Sequence, residues 1–234
     1  MHPQHTGMPN AARIRFLTGA SALLMLAVVA ASAYIRASDG VDVQVARGVH
    51  RATASSVALL VFALMALAWG QPRLRIAASA AFVLMLALSA VGWITGTTPP
   101  QAAALFNQSG GLALTALLAW IYGRAAVQLS VAPDRRLAGA ALGLASLQAA
   151  FGGTLAIFAP QASVEVLILH AAAGLGAAAV VAALGLRYAA CAALAPALGA
   201  ISAVLPAIAA QAGHALAGAL LLAFAAYAHA RASA

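Results

Sequence analysis

The sequence predicts an all-α, polytopic membrane protein in which eight transmembrane helices form two tandem four-helix bundles. Composition, the spacing of long apolar runs and the placement of arginine predict this fold class. Of the 234 residues, 65% are hydrophobic and only 7% are charged, against roughly 25% charged in soluble domains, and the mean hydropathy is +0.99. A soluble fold cannot hide so much apolar surface. A soluble enzyme, a nucleic-acid-binding protein and a disordered chain are therefore all disfavoured.

Eight apolar runs are long enough for membrane helices, since a spanning helix needs about 20 apolar residues. Clusters of Gly and Pro separate most of the runs, as at Gly70-Gln71-Pro72 and Thr98-Pro99-Pro100. The first run is too long for a signal peptide and is interpreted as an uncleaved first helix. The predicted helices cover 14–35, 50–69, 75–95, 102–123, 137–158, 164–186, 189–209 and 213–230.

Arginine supports this count and predicts the orientation. The twelve basic residues are all arginine. With the N-terminus inside, nine of them fall in cytoplasmic regions, and Arg36, Arg47 and Arg51 fall outside. Positive residues concentrate on the cytoplasmic side of membrane proteins. The sequence therefore predicts a multi-pass protein of the cell's inner (plasma) membrane with both termini cytoplasmic. It divides into a 1–128 half and a 129–234 half, which resemble an internal repeat.

Three histidines and one asparagine occupy matching positions near the outer ends of the even-numbered helices. His50, Asn107, His170 and His214 stand in predicted helices 2, 4, 6 and 8. Imidazoles from facing helices can ligate haem iron, and a face of small residues suits a flat macrocycle. Small residues follow four positions later, on the same helix face: Ala54, Gly111, Gly174 and Gly218.

Other interpretations stand beside a haem site. Histidine also forms hydrogen bonds between membrane helices, and small residues also serve plain helix packing. Zinc needs three or four ligands, whereas the chain has one cysteine, Cys191, and only four acidic residues. Glu165, five residues before His170, is not on the same helix face. A transporter is disfavoured because its polar site would lie at the bilayer midplane, whereas the polar residues of this chain cluster near one face of the membrane.

The ordered set of motifs resembles the haem A synthase family of cytochrome-oxidase assembly proteins, over about residues 13–231. Leu169-His170 and Gly213-His214 are similar to the histidines of that family's second half. The other similar strings are Tyr34-Ile35-Arg36-Ala37-Ser38-Asp39-Gly40, Val49-His50-Arg51, and Gln148 followed by Phe151-Gly152-Gly153-Thr154.

The resemblance implies a haem b held between His170 and His214 in the 129–234 half. In the 1–128 half it implies a pocket near His50 for haem o, which the family oxidises at a methyl group to haem A. Arg36, Arg47 and Asn107 are the other predicted cofactor-binding residues. Haem o synthase or other oxidase assembly factors are the implied partners, beside haem, the lipid bilayer and a second copy of the chain.

The sequence departs from the family pattern at the first-half site. Asn107 replaces a fourth histidine, Arg47 replaces a glutamate three residues before His50, and residues 36–49 lack the cysteine pair of many members. An amide oxygen is a poor iron ligand beside imidazole, and arginine stays protonated. Two hypotheses follow: a haem A synthase-like oxidoreductase with weak or no conversion, and a haem b-binding electron-transfer or assembly protein without synthase activity.

Overall fold

The computed structural model describes residues 8–38, 42–96, 98–126, 132–158, 163–185, 193–201 and 208–233. All regular structure in these ranges is helical. Every helix except the seventh is long and apolar enough to cross a membrane, which confirms a helical, multi-pass membrane protein. The helices are α1 (Met8–Ala37), α2 (Asp42–Ala68), α3 (Pro72–Thr95), α4 (Gln101–Ala125), α5 (Arg135–Phe158), α6 (Val164–Ala183), α7 (193–201) and α8 (Ile208–Ala232).

Several helix ends coincide with the chain breakers in the sequence. Helix α3 begins at Pro72, where the missing N–H costs nothing because no partner exists in the first turn. It ends before Gly96, whose φ of 62° is readily adopted by glycine. Asp134 caps α5, since its Oδ1 accepts the N–H groups of Arg136 at 2.8 Å and Leu137 at 2.9 Å.

Some helix boundaries differ from the sequence prediction. Helix α2 begins at Asp42 rather than at residue 50, because the residues before His50, in which valines alternate with Asp42, Gln44 and Arg47, continue the helix although they do not form an unbroken apolar run. His50 therefore lies two turns inside α2, about 12 Å from its start. For the predicted seventh span, 189–209, the structure describes a helix only over 193–201. Residues 189–192 and 202–207 of that span lie outside the described residues, and its last two residues, 208 and 209, belong to α8.

Four helices pack against each other at the centre of the molecule. Helix α8 contacts α1, α4 and α5, and α4 also contacts α1 and α5. The remaining long helices lie outside this group: α2 packs on α1 and α3, α3 also packs on α4, and α6 packs on α5 and α8. The relation of α2 to α1 thus resembles the relation of α6 to α5.

Two buried clusters of different composition hold the helices together. The first cluster lies among α1 to α4 and consists of large side chains such as Val57, Leu64 and Leu118. The second is formed mainly by α5, α6 and α8, and is rich in alanine, including Ala145 and Ala177. Small side chains let membrane helices approach closely, so the helices that carry His170 and His214 can lie near each other.

The C-terminal ends of α4 and α8 bind each other through reciprocal arginines. Arg124 Nη1 donates to the carbonyl oxygen of Ser233. Arg231 Nη1 donates to the carbonyl oxygens of Ala126 at 3.1 Å and Gly123 at 3.5 Å. The two donor residues, 124 and 231, are 107 positions apart in the sequence, and so are the two main acceptor residues, 126 and 233. Each arginine satisfies carbonyl groups that the other helix leaves free at its end, and its charge complements the helix dipole there.

Candidate functional site

The side chains of His170 on α6 and His214 on α8 face each other through their Nε2 atoms. Their Nε2 atoms are 3.4 Å apart. The ring centroids are 5.7 Å apart, and the ring planes are inclined at 86°. The centroid distance exceeds the nitrogen distance by 2.3 Å, which is about the sum of the two ring radii, so the two centroids and the two nitrogens lie close to one line. The lone pairs of the two Nε2 atoms therefore point towards each other.

Each ring is oriented by a backbone carbonyl on a neighbouring helix. His170 Nδ1 lies 3.0 Å from the carbonyl oxygen of Gln148 on α5. His214 Nδ1 lies 3.3 Å from the carbonyl oxygen of Ala195 on α7. A carbonyl only accepts hydrogen bonds, so the Nδ1 atoms carry the protons and donate. In the neutral rings, both Nε2 atoms then present lone pairs to each other, and either a proton on one of them or a metal ion between them makes this arrangement favourable.

A glycine lies under each of the two rings. A Cβ built on Gly152 would be 2.8 Å from His170 Cε1, and one built on Gly199 would be 3.0 Å from His214 Cε1. Real Cβ atoms do not make contacts as close as 2.8 Å. In both cases the carbonyl that binds Nδ1 belongs to the residue four positions before the glycine. The same local arrangement therefore positions both imidazoles.

His50 lies on α2, which packs on α1 as the helix of His170, α6, packs on α5. Its Nδ1 lies 3.2 Å from Ser32 Oγ on α1. Ser32 precedes Gly152 by 120 residues, and His50 precedes His170 by the same number. The guanidinium groups of Arg36 and Arg51 lie near the His50 ring. His50 is therefore an oriented imidazole with positive charge beside it.

The structure does not pair His50 with Asn107 as it pairs His170 with His214. Within the described ranges, α2 does not pack against α4. Asn107 is half-buried, and its Oδ1 is buried without a hydrogen-bond partner. Arg47 is half-buried on α2. In the described part of the chain, Asn107 therefore does not face His50 as His214 faces His170.

The small residues that follow Asn107 serve helix packing. A Cβ built on Gly110 would be 2.6 Å from Leu88 Cδ2, and one built on Gly111 would be 3.6 Å from Met25 Cε. Side chains of α3 and α1 therefore occupy the face that the sequence suggested for a macrocycle. The glycines of α4 therefore serve as packing residues, which let the side chains of α3 and α1 approach its backbone.

Gln148 fills the space next to the histidine pair, one turn deeper along α6 and α8. Its side chain is 5% exposed. Its Cγ is 3.2 Å from a Cβ built on Gly174, and its Nε2 is 3.4 Å from one built on Gly218. These glycines stand four residues after His170 and His214 respectively. The Oε1 atom of Gln148 is buried and has no hydrogen-bond partner.

Sequence reasoning missed several residues that build this site. Ser32, Ala195 and Gly199 were not identified, and Gln148 entered only as part of a family-like string. A glycine or serine on the neighbouring helix is a weak signal in a chain with 20 glycines. The spacing between Ser32 and Gly152 is 120 residues and equals the spacing between His50 and His170. This equality is the signal that could have identified the contacts of Ser32 with His50 and of Gly152 with His170.

The donor set around the histidine pair is limited to two imidazoles. In the part of the chain that the structure describes, no group of three or more His, Cys, Asp or Glu side chains is placed to hold a metal ion. A cavity of about 400 Å³ lies between α4, α5 and α8, lined by apolar side chains together with Ser109 and Ser146. None of the candidate site residues lines that cavity.

No family model matches the sequence, and a comparison with curated proteins finds no match either.

Proposed function

We propose that this protein is an integral membrane haem protein that binds haem b between His170 and His214. The observation that carries the proposal is the collinear pair of Nε2 atoms, each on a ring whose Nδ1 donates to a backbone carbonyl. Histidines that bind metals commonly donate the other ring N–H to a carbonyl or carboxylate, which fixes the tautomer and the ring orientation. Two such rings on one axis are the arrangement of axial ligands on the two faces of a haem.

The number of ligands favours haem over a bare metal ion. Zinc sites use three or four protein ligands, and the described residues offer two imidazoles and no nearby carboxylate or thiolate. A macrocycle supplies four nitrogen ligands of its own, so two axial imidazoles complete six-coordination. The low-dielectric surroundings and the bis-histidine ligation suit electron transfer, which is the chemistry that a six-coordinate haem supplies.

The separation of the rings sets a condition on binding. Two metal–imidazole bonds of about 2 Å each require Nε2 atoms about 4 Å apart, whereas the structure has them 3.4 Å apart. The separation seen is therefore about 0.6 Å shorter than two such bonds require, and the rings would have to move apart to bind iron. Helix α6 contacts α8 much less than it contacts α5, so a movement of this size is compatible with their packing.

We further propose that the chain is a tandem duplication of a four-helix unit, with both termini cytoplasmic. The matched spacings of 120 residues (Ser32 and Gly152, His50 and His170) and 107 residues (Arg124 and Arg231) support the duplication. The arginine distribution supports the orientation. In this arrangement, the histidine pair is near the outer face of the plasma membrane.

Purified protein from haem-replete cells tests the haem site directly. The optical spectrum should show a low-spin haem, and extraction should identify it as haem b. His170→Ala and His214→Ala should each abolish the low-spin signal, because iron loses an axial ligand. His229→Ala is the matched control, since it removes a histidine of α8 outside the site and should leave the spectrum unchanged. Wild-type protein without haem would refute the proposal.

A second candidate function is haem A synthase-like oxidation of haem o in the first half. It is favoured by His50, whose ring is held by Ser32 at the position that corresponds to His170 and Gly152, with two arginines nearby. With no histidine opposite, a haem bound by His50 would keep an open iron position, which oxygen chemistry uses. This function is the weaker of the two, because Arg47 cannot serve as a general base near neutral pH.

Complementation tests the second candidate. In a strain that lacks its haem A synthase, the unaltered chain should yield little or no haem A, measured by extraction. The double variant Asn107→His, Arg47→Glu restores the family pattern, so it should yield more than the parent. Robust haem A production by the parent would establish the synthase activity, and the double variant should then give no improvement.

A further inference from the structure

Gln148 has two separate parts with different relations to the histidine pair. Its backbone carbonyl accepts the Nδ1–H of His170. Its side chain lies across the space between α6 and α8, against Gly174 on one side and Gly218 on the other. Substitution of the side chain therefore leaves the backbone hydrogen bond to His170 in place.

The side chain of Gln148 and a macrocycle compete for the same space. A haem held by His170 and His214 would need the space between α6 and α8, where Gly174 and Gly218 stand one turn further along from the two histidines. The Gln148 carboxamide already lies there, with its Nε2 3.4 Å from the position that a Cβ on Gly218 would take.

The buried carboxamide is poorly satisfied where it is. The Oε1 atom has no hydrogen-bond partner, although the side chain is 5% exposed. Buried polar groups without partners are rare and destabilise the state that contains them. Moving the Gln148 side chain out of this space therefore costs less free energy than moving an apolar side chain of the same size.

Resting on the proposed haem function, we propose that the Gln148 side chain is a displaceable plug, which fills the space between α6 and α8 before haem enters and must leave it for haem to bind His170 and His214. Gln148 is in this sense a positioning residue for the site and not an iron ligand. Its loss should favour binding, in contrast to the loss of a residue that holds the haem.

Titration of the full-length protein in lipid nanodiscs with ferric haem b tests the plug. Protein from haem-deficient cells is used, and the Soret band reports the dissociation constant and the association rate. Gln148→Ala should bind about tenfold more tightly and faster, since the space is already open. Gln148→Met should bind about tenfold more weakly, because an unbranched apolar side chain fills the same space with no unsatisfied oxygen. Tenfold corresponds to about 1.4 kcal/mol.

Gln108→Ala is the matched control. Gln108 also has a buried Oε1 without a partner, but it belongs to α4 and lies outside the space between α6 and α8, so its variant should bind as wild type. The low-spin spectrum of each loaded variant shows that both axial histidines remain in place. Equal binding by both Gln148 variants and the wild type, or weaker binding by both, would overturn the plug while leaving the haem site established. A wild type that binds no haem would overturn both proposals.

Discussion

At the scale of single residues, the absence of a side chain matters as much as the presence of the histidines. Each ring of the pair needs the bare backbone of a glycine on the neighbouring helix to reach its carbonyl. The carbonyl fixes the proton on Nδ1, and this leaves the lone pair of Nε2 free for a ligand bond. In the proposed haem site, the affinity for iron would therefore depend on Gly152 and Gly199 as well as on His170 and His214.

Gly152→Ala should consequently weaken haem binding strongly. Its Cβ would stand 2.8 Å from the His170 ring, so the ring must shift, and such overpacking costs about 1–3 kcal/mol. The measurement is the low-spin haem content of purified protein. Gly143→Ala on the same helix is the control, since nothing lies within 4 Å of its Cβ position. This control should retain haem and gain about 0.5–1 kcal/mol of helix stability. Equal haem content in the two variants would contradict the role of Gly152.

Gly199→Ala tests whether the same arrangement operates on the other ring. The added Cβ would be 3.0 Å from His214 Cε1 and 3.2 Å from its Nδ1. We expect a loss of low-spin signal that is smaller than for Gly152→Ala, because the contact is less close. A variant with full haem content and an unchanged spectrum would show that α7 does not orient His214.

At the scale of helices, the reciprocal arginines of α4 and α8 replace the caps that the sequence lacks at these two ends. Arg231 is only 6% exposed, so its charge lies among carbonyl oxygens of the end of α4 and not in water. Arg124 has the same relation to the end of α8. The α4–α8 interface is therefore fixed by polar contacts at this end and by small residues along its length.

Arg231→Leu should lower the free energy of unfolding by about 1–3 kcal/mol, because it leaves buried carbonyl groups of Gly123 and Ala126 without a donor. Thermal unfolding in detergent measures the effect. Arg73→Leu is the control, since Arg73 is exposed on α3, and its variant should unfold within about 0.5 kcal/mol of the wild type. If both variants unfold alike, Arg231 contributes no measurable stability to the interface.

The long helices could be predicted from the sequence because each contains a run of apolar residues that only a membrane can accommodate. The start of α2 could not, since Asp42, Gln44 and Arg47 interrupt the valines before His50 and break the continuous apolar run from which a membrane helix is recognised. His170 and His214 were predicted from their equal depth. Their carbonyl partners, and the side chain of Gln148 between Gly174 and Gly218, depend on how neighbouring helices are rotated, which one-dimensional spacing does not determine.

At the scale of the whole molecule, the orientation in the membrane follows from the arginines. Tags at both termini should report the cytoplasm, and a tag within residues 37–46 should report the opposite side. Accessibility to a membrane-impermeant reagent measures this in intact cells. A tag after residue 232 on the outer side would mean that the region between α6 and α8 does not cross the membrane, and His214 would then lie at the wrong depth for His170.

The late position of α8 in the chain has a consequence for biosynthesis. Helix α8 carries His214, and its end binds the end of α4 through contacts that join residues more than 100 positions apart. While the ribosome is still translating α5 to α7, α4 has no partner at its end, and His170 has no facing imidazole. The histidine pair therefore forms only after α8 has passed from the translocon into the bilayer, so the proposed haem could bind both rings only from that point on.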